Sequence, residues 1–260
     1  MGIFFPDDPN YFPNMRPTGL KRYQQVLERD WKRLVAVNFL TLLWLLPFAL
    51  GVAYAILSSS VLVLIPVCVL GGVLAGPGLA CMYDMILRGL RDNVDDWWFS
   101  YKRALKQNFR ASRLPGILFC LFWGFFAFSC ALLWWAPGNP GLGTIAVMAV
   151  SALLVTMVFT VWWPQVVLFD QKPSLQLKNC LLFCIRYFGP TLGAAALKLG
   201  WFAIVTLVMP WSAFIIPFLG IWYILFLSTF RIYSWLDEAF RIEEQIAEAF
   251  PEQIPVYDEE

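Results

Sequence analysis

Residues 61–87 read VLVLIPVCVLGGVLAGPGLACMYDMIL, and Asp84 is the first charge in that run. A soluble helix of this length would show a polar stripe, and this one shows none, so the segment reads as a membrane crossing. At 1.5 Å per residue it is about 40 Å long, against roughly 30 Å of hydrocarbon. The expectation is therefore a break or kink at Gly76-Pro77-Gly78, where proline removes a helix hydrogen bond and the flanking glycines loosen the backbone.

Working outward, five more apolar windows appear, Leu34 to Leu57, Ile117 to Trp135, Thr144 to Leu168, Thr191 to Met209 and Phe214 to Trp235. The whole chain agrees with them: of 260 residues 60% are hydrophobic, with 13 Trp and 23 Phe, and the mean hydropathy is +0.65. These features predict an all-α, polytopic membrane protein of about six transmembrane helices with cytoplasmic amphipathic surface helices. Its expected parts are an N-terminal cytoplasmic segment (1–33), a transmembrane domain (34–235) and an acidic cytoplasmic C-terminal helix and tail (236–260). No small-residue cleavage site follows the first apolar window, so that window is expected to be an anchor rather than a removable signal. A net charge of +1 gives no reason to expect a nucleic-acid partner.

Charge placement sets the expected orientation. The connections around Ser58–Ser60, 136–143 and 210–213 contain no charged residue, whereas Arg16 to Arg33 and Arg88 to Arg113 are rich in Lys and Arg. The positive-inside rule then puts both termini in the cytoplasm. Trp134, Trp135 and Trp211 fall at the uncharged ends and Trp31, Trp97, Trp98 and Trp235 at the charged ends, as interfacial belts require.

Between the second and third windows lies an amphipathic helix near 95–113. Trp98, Tyr101, Leu105 and Phe109 share one face, flanked by Lys102, Arg103, Lys106, Arg110 and Arg113. Two partners suit it, anionic membrane lipid or a protein groove, and the candidate partner-binding residues are Tyr101, Arg103, Lys106, Phe109 and Arg110. A second surface helix is expected near 173–188. Displaced by 75 positions, Asp95 to Pro115 overlies Asp170 to Pro190, matching Asp95 with Asp170, Arg103 with Lys178 and Pro115 with Pro190. That is the pattern of a parallel repeat of span, surface helix, proline and span. Leu236 to Phe250 is expected to form one acidic helix stopped by Pro251, packing on protein rather than on anionic lipid.

Chemistry-bearing patterns are few. Histidine is absent, which removes the usual general base and the commonest metal ligand. The expectation is no enzyme, no cofactor and no metal. The six cysteines lie in or beside apolar sequence and read as small buried residues, the Cys180/Cys184 pair lacking the further ligands zinc requires. Asp84 and Arg88 have ion-pair spacing on a helix. Lys198 falls about 10 Å into the fifth window, deep enough to make it a candidate intramembrane polar site. The GNPGLG of 138–143 lacks the strand and lysine of a phosphate loop and reads as a turn.

Four stretches together resemble the YesL family of bacterial integral membrane proteins: MGIFFPDDPN at 1–10, NFLTLLWLLP at 38–47, GPGLACMY at 76–83 and FSYKRALKQNF at 99–109. The resemblance implies the bacterial inner membrane and a non-catalytic accessory subunit associated with a carbohydrate importer of the ABC type. Permease or ATPase subunits would then be the partners. In such importers a short cytoplasmic helix between spans seats in a groove of the ATPase. A stand-alone transporter or channel, or a membrane scaffold or sensor, is the competing expectation.

Overall fold

The computed structural model describes residues 19–92, 96–136, 138 and 140–249. Asp95 and the 1–10 stretch lie outside them. Among the described residues the only regular elements are helices, without strands. Two helices are α1 (Gly19–Leu57) and α2 (Val61–Leu90), paired antiparallel through the Ser58–Ser60 turn. At about 58 Å, α1 is far longer than a bilayer is thick, so the basic leader and the first apolar window form one continuous rod. Then follow α3 (Trp97–Asn108), α4 (Arg113–Trp135), α5 (Leu142–Leu168), α6 (Pro173–Arg186), α7 (Phe188–Leu207), α8 (Ser212–Leu219), α9 (Trp222–Phe240) and α10 (Ile242–Ala249). Among the described residues, five helices are long and apolar enough to cross a membrane, and a sixth crossing results if the bent pair α8–α9 counts as one.

The Gly76-Pro77-Gly78 segment does not break α2, which is helical from Val61 to Leu90. Its glycines serve close approach instead. A Cβ on Gly76 would strike the carbonyl of Ser112 in the α3–α4 elbow, and one on Gly78 would meet the Trp44 side chain of α1. Gly72 and Gly116 extend this seam, each occupying space against the backbone of the other helix. Missing side chains thus let α2 and α4 pack backbone to backbone, the small-residue device of helix packing in membranes.

At the basic end of the bundle, the last carbonyls of α2 are capped from α1. Arg22 donates to Leu90 O at 2.7 Å and Arg29 to Gly89 O at 2.6 Å, while both pair with Asp92. Cations at a helix C-terminus also complement its dipole. Buried Asp30 pairs with Arg29 and Arg33, and the Asp84–Arg88 pair forms at 2.7 Å.

The expected sixth span is interrupted. α8 and α9 meet at a 52° bend, where Pro217 lacks an amide donor and Gly220 allows a turn. Asn38 of α1 binds both sides of the break. It donates to Ile216 O (3.2 Å) and Pro217 O (2.7 Å) and accepts from the amides of Ile221 and Trp222, each at 3.2 Å. Trp201 of α7 donates to Gly220 O at 2.8 Å. In an apolar setting every freed backbone group needs such a partner.

The C-terminal helix also differs from expectation. Leu236–Phe240 continues α9, and Arg241, in the left-handed conformation at φ 48°, ends it before α10 begins. Phe250 lies outside the described residues. The acidic end is held through α6: Tyr187 donates to Glu238 at 3.0 Å, and Phe240 stacks on Phe183 at 5.9 Å.

Candidate functional site

Two places concentrate the sequence-derived candidates, the surface helix α3 and the surroundings of Lys198. Asp96 caps α3 by accepting from the Phe99 amide at 3.0 Å. Ser100, Tyr101, Ala104 and Asn108 then form its buried face. The anchor is Tyr101, 4% exposed, whose hydroxyl accepts from the Trp44 indole of α1 at 2.9 Å. A neutral bond of this kind contributes about 1 kcal/mol, but it also fixes the rotation of the helix. Tyr101 therefore faces the bundle, whereas Lys106 and Arg110 are exposed. Arg103 and Phe109 are half-buried at the edges, Arg103 over the Phe99 ring and Phe109 beneath the Arg113 guanidinium at 4.6 Å. The expected apolar face is divided: Tyr101 is inside, and Trp98 is 45% exposed.

Outwards, α3 presents Phe99, Lys102 and Lys106 at 0, 3 and 7 positions along one stripe, and Arg110 is exposed in the turn that follows the helix. This is an aromatic-led basic row on a helix whose inward face of Ser100, Tyr101, Ala104 and Asn108 is buried. The expected residues are thus sorted by the Tyr101–Trp44 bond. Nothing in the sequence marks Trp44 as its partner, because the contact spans 57 positions.

Lys198 lies at the junction of α2, α5 and α7. It is 5% exposed, and its Nζ is 3.0 Å from both the Tyr83 hydroxyl of α2 and the Thr160 hydroxyl of α5. Thr160 in turn donates to Thr156 O at 2.7 Å, and Tyr83 stacks on Trp163 with centroids 6.2 Å apart. Gln165, further along α5, is buried with neither amide atom hydrogen-bonded. Lys198 was legible as a deep lysine; its hydroxyl partners were not, since Tyr and Thr are unremarkable in apolar helices.

The 75-position offset recurs in the helix order, with α2, α3 and α4 as one unit and α5, α6 and α7 as a second. α4 begins at Arg113 and α7 at Phe188, and Pro115 and Pro190 are the third residues of each. Tyr101 corresponds to Gln176, and each accepts from a tryptophan indole, though from helices that do not correspond: Gln176 of α6 accepts from Trp162 of α5 at 3.2 Å. Each surface helix is pinned by a tryptophan from a long helix. Lys198 bonds Tyr83 of the first repeat unit and Thr160 of the second, so it sits where the two meet.

Five cysteines are buried, as expected, and Cys130 is exposed. Burial pushes the Cys184 thiol up to about 11, which keeps it protonated and unreactive at neutral pH. A cleft of about 610 Å³ between α4 and α5 at the uncharged end is lined by Phe126, Cys130, Leu133, Trp134, Ile145 and Met148 among others. It lies away from both candidate sites. No family model, curated protein or solved structure matches the chain.

Proposed function

We propose that this chain is a non-catalytic accessory subunit of the bacterial inner membrane, with both termini, α3 and α6 on the cytoplasmic side, and that α3 is its docking element. The carrying observation is the exposed row Phe99, Lys102 and Lys106 on α3, continued by Arg110 in the turn after it, on a helix whose opposite face is buried and bonded through Tyr101 to Trp44. A protein groove gains from such a helix because its rotation is fixed before binding and little ordering entropy is lost. Lys106 and Arg110 supply charge that steers encounter with an acidic surface. Carrying the YesL resemblance forward, the partner is a permease or ATPase subunit of a carbohydrate importer of the ABC type.

The test is copurification in mild detergent. The double variant Lys106→Glu/Arg110→Glu is expected to release the copurifying subunit while the chain stays in the membrane at normal abundance. Retention of the subunit refutes docking through α3. Orientation is checked in a Cys130→Ala background, where Ser58→Cys is expected to react only from outside the cell.

A second reading rests on a different observation. Lys198, with hydroxyls from both repeat units around it and unbonded Gln165 on α5, is the kind of intramembrane polar centre that transporters build at repeat interfaces. Transport by the purified chain alone, abolished by Lys198→Met and retained by Lys172→Met, would favour it.

A further inference from the structure

The repeat places α3 and α6 in register, yet their outward faces differ in kind. Lys106 and Gln107 of α3 and Arg110 in the turn after it correspond to Leu181, Leu182 and Ile185 of α6. These aliphatic side chains are 48%, 56% and 76% exposed, and Leu175 on the same face is 46% exposed. The opposite face is fully used: Gln176, Cys180, Phe183 and Cys184 are buried, with Gln176 bonded to Trp162 and Phe169 O. The apolar face is therefore surplus to the bundle.

We propose that α6 lies in the membrane interface as a lipid-embedded helix, with Leu181, Leu182 and Ile185 among acyl chains and Lys178 reaching an anionic headgroup. The proposal rests only on the chain crossing a membrane, not on α3 docking a partner. Two features select lipid over protein. First, the face is continuous with an outward apolar surface, because Phe188, immediately after α6 and opening the long apolar helix α7, is 53% exposed. Second, Lys178 is exposed within the aliphatic face; a dry protein interface would have to desolvate its ammonium, whereas at a membrane surface its flexible stem lies along the apolar layer and the charge reaches phosphate. Arg186, exposed at the end of the helix, supplies a second cation beside the same layer.

Spin labels on the full chain in nanodiscs containing phosphatidylglycerol test this, in a Cys130→Ala background. At Ile185→Cys, collision with oxygen, which concentrates in lipid, is expected to exceed collision with a water-soluble nickel chelate several-fold. At the equivalent Arg110→Cys the preference should reverse. A nickel-dominated label at Ile185→Cys would place α6 in water and overturn the proposal. Shielding from both probes would put a protein surface there, a second copy included, and would overturn it equally.

Discussion

The two repeat units solve one problem in two ways. In the first, α2 and α4 meet through Gly72, Gly76 and Gly116, backbone against backbone. In the second, α5 and α7 meet around Thr160 and Lys198, and Lys198 also reaches Tyr83 of the first unit. Shared topology does not fix what holds a helix pair together. The first unit gains its contact by omitting side chains, so it can tolerate no addition; the second relies on hydrogen bonds, so it is sensitive to losing a partner.

The sharpest way to break this comparison is to thicken the glycine seam. Gly116→Leu would push into the backbone of α2, which cannot rotate away as a side chain can, and is expected to cost about 3 kcal/mol, the upper end of overpacking effects. Thermal unfolding in detergent, followed by circular dichroism, should show a markedly lowered midpoint; an unchanged midpoint would remove the seam. In the second unit Tyr83→Phe should cost about 2 kcal/mol, since it strips a buried partner from Lys198. Adding Lys198→Met is expected to recover part of that loss, a coupling measurable in a double-mutant cycle. Additivity of the two changes would mean that the bond contributes nothing.

Smaller effects probe the surface helices. Tyr101→Phe and Gln176→Leu each deprive a tryptophan indole of its acceptor, and each should cost about 1 kcal/mol. Hydrogen exchange is expected to quicken locally in α3 for the first and in α6 for the second; a response confined to one helix would end their equivalence. Least of all, Asp96→Ala should loosen only the first turn of α3 by about 0.5 kcal/mol, whereas Lys172→Ala should leave α6 unaffected, because Lys172 makes no side-chain cap and Pro173 opens that helix.

What was legible in the sequence followed from local periodicity. Apolar windows located the long helices because membrane crossing demands length and composition together, and Pro115 and Pro190 marked the repeat because helix starts tolerate proline. Gly76-Pro77-Gly78 does not break the helix, because the same residues suit a break or a tight contact, and only the neighbouring Ser112 and Trp44 show the contact. The break at Pro217 and Gly220 could have been read from those two residues. Its partner could not, since Asn38 is 178 positions or more away. Similarly, periodicity gave the apolar side of α3 but not its rotation, which depends on one bond to Trp44.

The four bonds of Asn38 carry a consequence for biogenesis. A chain delivered to the membrane from its N-terminus presents α1 before the α8–α9 elbow, yet backbone groups on both sides of that elbow bond to Asn38 of α1. The elbow therefore has no stable place in lipid until the first helix has been kept close by for the rest of synthesis. Asn38→Leu is accordingly expected to leave the earlier helices in place and to loosen the elbow, read as quicker hydrogen exchange in α8 and α9.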